Sequence, residues 1–152
     1  MLSIYRPRRL IAALLLPVAL IAAAAPLPAF AEEPDPALAA VRTLLAAFNA
    51  HDVDAMCKAV TEDAGWYAVD GASIAVEAAG REALRDGMTR YFQALPTVRS
   101  RFESEAVSGA YVMVRERASW TADGEERSQS SLAVYRVEDG RVAAVWYYPV
   151  EP

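Results

Sequence analysis

Apolar residues in the first half of the chain recur mainly at helical spacing, every three or four positions. Three helices are predicted, beginning near Pro36, after Asp52 and at Gly80. Asp35 and Asp52 are typical N-caps, because an aspartate side chain accepts hydrogen bonds from the free amides of a first helical turn. A short hairpin is predicted between the second and third helices, with Asp70-Gly71 as its turn.

From residue 99 onward the pattern alternates with a period of two, which predicts strands. Turn signals at Ser108-Gly109, Ala122–Glu125 and Glu138–Gly140 divide this half into four long strands. The order is therefore helix, helix, short hairpin, helix and four antiparallel strands. A sheet with helices on one face is an α+β fold, and a curved sheet under three helices leaves an internal pocket between the two layers.

The N-terminal segment has the features of a secretory signal. Three arginines (Arg6, Arg8 and Arg9) precede an uncharged run that ends in Ala29-Phe-Ala31. We expect cleavage after Ala31, which makes residues 1–31 a signal peptide and residues 32–152 a periplasmic or secreted domain. The alternative is an uncleaved membrane anchor, since the run from Leu10 to Ala31 is long enough to cross a bilayer.

Charge narrows the possible partners of residues 32–152. Without the three arginines of the signal segment, 12 basic side chains remain against 20 acidic ones, a net charge of −8. This balance argues against nucleic acid and, after cleavage, against a membrane surface, because both attract basic proteins. The single cysteine, Cys57, and single histidine, His51, cannot form an internal disulfide or a Cys/His metal cluster. We expect neither a metal nor a cofactor.

One carboxylate falls in an apolar row of the predicted sheet. With period two, Glu116 shares a face with Val112, Val114, Ala118 and Trp120. A buried carboxylate must be paired, protonated or functional, and burial suits it to acid/base chemistry. A strand end or bulge that exposes Glu116, or a pair with Arg136, is the structural alternative. The functional hypothesis joins Glu116, Tyr135 and Ser131 as the polar end of an apolar pocket.

These elements resemble the nuclear transport factor 2-like superfamily, in particular its SnoaL-like domains. The resemblance is carried by Phe48–Ala55, Thr61–Asp63 before a strand, Gly80–Leu84 and Asp139–Val142 before the last strand. It implies a cone-shaped barrel, in which a curved antiparallel sheet packs on three N-terminal helices around an internal pocket. It also implies that His51 belongs to the turn between the first two helices, and that the outer sheet face can form a homodimer.

Ketosteroid isomerases, which share this fold, provide a test for catalytic residues. Their carboxylate base, their tyrosine and their second acid fall on Ala68, Leu44 and Ala133 of this chain, so the resemblance does not transfer that chemistry. Asp70 lies two residues after the expected base and could replace it, although Asp70-Gly71 is more simply a turn. The candidate catalytic residues are therefore Glu116 and Asp70.

Three functional hypotheses follow from this pattern. The preferred one is a pocket that binds a small, mostly apolar molecule without chemistry. The second is an acid/base isomerase, dehydratase or cyclase, and the third is a dimeric protein-interaction module. A carboxylate inside the cavity, within reach of another polar group, would favour the enzyme. The residues expected to contact a ligand are Met56, Trp66, Tyr91, Trp120, Ser131, Tyr135 and Trp146.

Overall fold

A computed structural model describes residues 35–149 as three helices and six strands. The helices are α1 (Pro36–Asn49), α2 (Val53–Ala59) and α3 (Arg81–Ala94). The strands are β1 (Val60–Asp70), β2 (Ser73–Ala79), β3 (Arg99–Ser108), β4 (Tyr111–Ala122), β5 (Glu125–Glu138) and β6 (Arg141–Pro149). The predicted signal peptide and its cleavage site lie outside the described residues. None of the three helices has the length and hydropathy of a membrane span.

The helices begin where the sequence predicts. The Asp35 carboxylate accepts a hydrogen bond from the amide of Ala37 at 2.8 Å, and the Asp52 carboxylate accepts one from the amide of Ala55 at 2.8 Å. Both aspartates therefore stabilise helix starts by satisfying amides that have no partner within the helix. His51 lies in the turn between α1 and α2 with a φ of 55°, as the resemblance implies.

The sheet is mixed and open, which corrects two details of the expected fold. Its strand order is β2-β1-β6-β5-β4-β3, and β1 pairs with β6 in parallel while all other neighbours are antiparallel. The expected fully antiparallel sheet is therefore wrong at this one pair. Because β2 and β3 remain at the two edges, the sheet curls around the helices without closing into a barrel. Alternation within strands does not reveal which distant strands pair.

The pairing register shifts at four places in the sheet, and single-residue bulges in the pairs β5–β6 and β3–β4 are two of these shifts. Between β5 and β6, Val137 pairs with Val142 but Arg136 pairs with Ala144, so Ala143 is an extra residue in β6. Between β3 and β4 the extra residue is Glu103. Each bulge turns every later side chain of its strand to the opposite face.

The helices cover one face of the sheet and form the core with it. Val41 and Leu44 of α1, Met56 of α2 and Leu84 of α3 are each no more than 3% exposed. They pack against buried residues of the sheet, including Val60, Val112, Val114, Ala133, Val142 and Val145. We call this covered side the inner face of the sheet and the opposite side its outer face.

The outer face carries a continuous apolar row across five strands. Each residue of this row is the cross-strand partner of the next. We call the set the outer row: Met113, Val134, Trp146, Tyr67 and Val76. Met113 is 39% exposed and Val76 is 63% exposed. Beside this row, the bulge residue Glu103 forms ion pairs with three arginines, Arg101, Arg115 and Arg117.

Candidate functional site

β4 carries a carboxylate in the middle of an apolar row of the inner face. Val112 and Val114 are 0% and 1% exposed, and Glu116 follows them on the same face, partly buried. β4 pairs with β5 without a register shift, so its side chains keep the phase that the sequence predicts. Arg136, the alternative ion-pair partner, pairs with Glu138 instead.

Three hydroxyl groups converge on the Glu116 carboxylate. Ser100 Oγ donates to Oε1. The Tyr135 hydroxyl donates to Oε2 at 2.7 Å, and the Tyr147 hydroxyl lies 3.1 Å from the same oxygen. The two tyrosine hydroxyls are 2.9 Å apart. We call these four residues the Glu116 cluster; β3, β4, β5 and β6 each contribute one, so the register of the sheet assembles it.

The two tyrosines of the cluster are neutral hydrogen-bond donors. Burial raises the pKa of Tyr135 well above its usual value, and the neighbouring Tyr147 and Glu116 raise it further. Burial also raises the pKa of Tyr147 well above its usual value, with the charge of Glu116 adding to the effect. A tyrosinate beside a carboxylate would be repelled, so both phenols keep their protons at neutral pH.

No cation compensates the Glu116 carboxylate within residues 35–149. The ion pairs formed by the described residues all involve other carboxylates. Its acceptor capacity is met by hydroxyl groups alone. Such a carboxylate is hydrogen-bonded but keeps its full charge when it is ionised, which is costly in a largely apolar surrounding.

A cavity of about 220 Å³ opens beside Glu116, between α1, α3 and the sheet. Its walls are mainly apolar, with two further polar side chains from β5, and are formed by Phe48, Trp66, Met88, Tyr91, Glu116, Ala118, Gln129, Ser131 and Tyr147. A neighbouring cavity of about 410 Å³ shares Trp66, Met88, Tyr91, Gln129 and Tyr147 with it. Together they have the size of a site for a small organic molecule.

The cavities divide the candidate residues into three groups. Trp66, Tyr91, Ser131 and Glu116 line the main cavity. Met56 and Tyr135 line a narrow recess behind it, where they meet Glu116 and Tyr147. Asp70, Trp120 and Trp146 line none of these three cavities. Asp70 is exposed at the β1–β2 turn, so the structure separates the two catalytic candidates.

Trp146 and Tyr147 exchange their expected positions. In-phase pairing of β5 and β6 places Trp146 opposite Ala133, on the inner face. The extra residue Ala143 shifts the register, so that Tyr147 lies opposite Ala133 and Trp146 lies opposite Val134. The Trp146 ring instead stacks on Tyr67 of the outer face, with 5.5 Å between ring centroids. Because of this shift, the alternation of the sequence does not indicate Tyr147 as a cavity residue.

The positions that carry catalytic groups in ketosteroid isomerases are apolar here, although two of them line the cavities. Leu44 lines the recess and Ala68 lines the neighbouring cavity. Ala133 is fully buried beside them at 0% exposure. These three positions thus carry no carboxylate or phenol, and the carboxylate that lines the main cavity, Glu116, lies on another strand, β4.

His51 and Cys57 have structural surroundings. The His51 ring stacks on Phe92 with 4.2 Å between centroids, and its Nε2 lies 2.8 Å from the carbonyl oxygen of Val98. Cys57 is 2% exposed in α2. Within residues 35–149, no group of three or more His, Cys, Asp or Glu side chains is arranged to hold a metal ion.

The comparisons with known proteins identify the family. The family model of the SnoaL-like domain matches residues 41–145, and the chain belongs to this family within the nuclear transport factor 2-like superfamily. No curated protein sequence matches the chain.

Solved structures share the fold at low sequence identity. An uncharacterized cystatin-fold protein from Novosphingobium aromaticivorans is 27% identical, with a TM-score of 0.63 over 73% of this chain and 96% of that one. An epoxide hydrolase of the LEH-like type from M. tuberculosis is 21% identical, with a TM-score of 0.61 over 76% and 83%. IdmH from Streptomyces antibioticus, a proposed polyketide cyclase, is 20% identical, with a TM-score of 0.61 over 73% and 89%.

Proposed function

We propose that the protein binds a small, largely apolar molecule in the Glu116 cavity and catalyses proton transfer on it. The observation that supports this most strongly is the position of Glu116, whose carboxylate lies on an apolar cavity wall within hydrogen-bond distance of Tyr147. A carboxylate and a hydrogen-bond donor at one substrate site are the parts that acid/base catalysis needs. The same geometry favours the enzyme hypothesis over binding without chemistry.

The residues of the Glu116 cluster have different roles in this proposal. Glu116 accepts or returns the proton. Tyr147 lines the cavity, so its hydroxyl can turn from Oε2 to an oxygen of the substrate on which negative charge develops. Ser100 and Tyr135, at 6% and 4% exposure, do not line the main cavity, and Tyr135 lines only the narrow recess behind it, so both act as positioning residues for the carboxylate.

The test needs no knowledge of the natural substrate. 5-Nitrobenzisoxazole is a small, neutral aromatic molecule; a base removes its ring C–H proton, the N–O bond breaks, and a coloured cyanophenolate forms. We expect saturable turnover by the wild-type protein and a loss of about 10²–10⁴-fold in kcat for Glu116→Gln. Asp70→Asn tests the other carboxylate and should leave kcat unchanged. Turnover equal in wild type and Glu116→Gln would refute the proposal.

Binding without chemistry is the second candidate function. The apolar residues Leu44, Ala68 and Ala133, at the positions where related isomerases carry catalytic groups, favour it. It predicts that wild-type protein binds 5-nitrobenzisoxazole with quenching of its tryptophan fluorescence but gives no turnover above buffer. Glu116→Gln would then bind the probe as tightly as the wild type.

We also propose that the domain acts after export. The basic start, the uncharged run and Ala29-Phe-Ala31 support this compartment. The intact mass of the protein purified from its own host tests it: a chain beginning at Glu32 supports export with cleavage, whereas a chain that retains the first 31 residues contradicts the cleavage.

A further inference from the structure

The Glu116 cavity has charge of only one sign on its walls. Among the residues that the structure describes, the main cavity and its recess contain a single charged side chain, Glu116. The neighbouring cavity adds Glu77 and no lysine, arginine or histidine. An anionic ligand would therefore enter next to an uncompensated carboxylate, which is strongly unfavourable in an apolar site.

The walls also offer several aromatic rings. Phe48 and Tyr91 lie on the helix side with 6.1 Å between their ring centroids, and Trp66 and Tyr147 lie on the sheet side with 6.2 Å between theirs. The face of an aromatic ring attracts a cation, and Trp attracts it most strongly. Proteins recognise quaternary ammonium ligands with cages of aromatic rings. Here the carboxylate of Glu116 lies in the same cavity as the rings.

We propose that the ligand of this cavity is a small organic cation, a protonated amine on an apolar body. Its ammonium group supplies the countercharge that Glu116 lacks, and its apolar part packs against Phe48 and Met88. The net charge of residues 32–152, −8, attracts such a molecule and repels carboxylates and phosphates. This inference names the ligand class of the cavity in the proposed function and rests on that cavity being the binding site.

Three soluble probes of similar size separate charge from shape. Benzylamine is cationic at neutral pH, benzyl alcohol is neutral and benzoate is anionic. Calorimetric titration of the wild-type protein should give a Kd for benzylamine at least about tenfold below that of benzyl alcohol, and no measurable binding of benzoate. The preference for benzylamine should shrink as salt is added. Benzyl alcohol binding as tightly as benzylamine, or any binding of benzoate, overturns the inference.

Variants place the preference at Glu116. Glu116→Gln should lose most of the preference for benzylamine over benzyl alcohol, and Trp66→Leu should weaken benzylamine more than benzyl alcohol. Glu62→Gln, an exposed carboxylate in the same sheet, removes the same charge away from the cavity and should keep the wild-type preference. If Glu116→Gln and Glu62→Gln show the same preference for benzylamine over benzyl alcohol, benzylamine responds only to the overall charge of the protein. That result also overturns the inference. The wild-type titrations decide the matter even where a variant fails to fold.

The same probes distinguish this inference from the proposed function. If the protein turns over 5-nitrobenzisoxazole and benzylamine does not inhibit that turnover, Glu116 remains the proposed base and the cationic ligand is refuted. If the protein prefers benzylamine but does not turn over 5-nitrobenzisoxazole, the cationic ligand is supported and the proposed catalysis is refuted.

Discussion

Each face of the sheet carries one exception to the usual distribution of polar and apolar side chains. The inner face buries Val112 and Val114 and then presents the charged Glu116 to a cavity. The outer face carries ionic Glu103 beside the outer row, whose members Met113 and Val76 are exposed. Each face thus contains one feature that folding alone does not require. A polar group inside and an apolar row outside are both indicators of a binding function.

Adjacent residues of β4 give the largest contrast between the faces. Val112→Asp should lower the free energy of unfolding by about 4 kcal/mol or more, because it buries an unpaired charge in the core. Met113→Asp should change it by about 0.5 kcal/mol, because that side chain reaches solvent. Urea denaturation at low protein concentration, where self-association contributes little, measures both. Similar losses in the two variants would mean that the faces are not distinct.

High pH should lower the stability of the protein through the tyrosines of the inner face. Tyrosines in the unfolded chain lose their protons near pH 10, while Tyr135 and Tyr147 keep theirs in the folded protein. The unfolded state then binds fewer protons, so the free energy of unfolding falls as pH rises above 10, by about 1.4 kcal/mol per pH unit for each tyrosine. Stability measured from pH 8 to 11 checks this.

Tyr147→Phe is the matched variant for the alkaline effect. Its slope above pH 10 should be smaller than that of the wild type by the contribution of one tyrosine, about 1.4 kcal/mol per pH unit. Tyr135 and the partly buried Tyr91, whose pKa burial also raises, keep their contributions. A slope that Tyr147→Phe leaves unchanged would show that other groups cause the loss.

Self-association should act on the outer face. We propose that the outer row is the contact surface of a homodimer, since a continuous apolar row of this length is unusual on a monomer. Met113→Asp and Val76→Asp should each weaken the dimer about tenfold or more in Kd, as measured by sedimentation. Gln93→Asp, on the exposed side of α3, adds the same charge elsewhere and should not.

A wild-type protein that is monomeric at all concentrations would contradict the homodimer. If the protein instead copurifies with a second chain, and Met113→Asp abolishes that association, the outer row is a docking surface for another protein.

Low pH should have the smallest effect on stability, and this effect should come from Glu103 on the outer face. Partial desolvation tends to raise the pKa of Glu103, but its hydrogen bond with Arg115 and the charges of Arg117 and Arg101 outweigh this and lower it. The unfolded chain takes up protons first, so stability contributed by Glu103 is lost as pH falls below about 4.5, the ordinary glutamate value. Glu103→Gln should flatten this acid dependence in thermal unfolding. The neutral-pH stability should change little, since exposed ion pairs stabilise weakly.

Local signals made much of the fold and part of the site predictable. The caps Asp35 and Asp52 fixed two helix starts, because capping depends on neighbouring residues only. Glu116 was found by alternation alone, since β4 and β5 pair in phase over their whole length. The parallel pairing of β1 with β6 joins distant segments, and no local pattern contains it.

The misplacement of Trp146 has a different cause. Ala143 is a small residue within an apolar run and gives no signal of a bulge, yet it sets the phase of everything after it in β6. The turn itself was predicted correctly at Glu138–Gly140. A turn specifies the first pair of a hairpin, and a later bulge then changes the register without any trace in the turn sequence.

The extra residue in β6 makes the chemistry of the cavity depend on the pairing register of the strand as well as on residue identity. Loss of Ala143 would remove the bulge and leave Tyr147 opposite Ala133, whereas regular pairing of β6 with Ala143 still present would turn an indole toward the cavity and a phenol toward solvent with no substitution at either position. A bulge lost at constant chain length thus exchanges the side chains offered to a ligand, whereas deletion of the bulge residue does not. Alignments of relatives therefore need their gap placed at the bulge before pocket residues are compared.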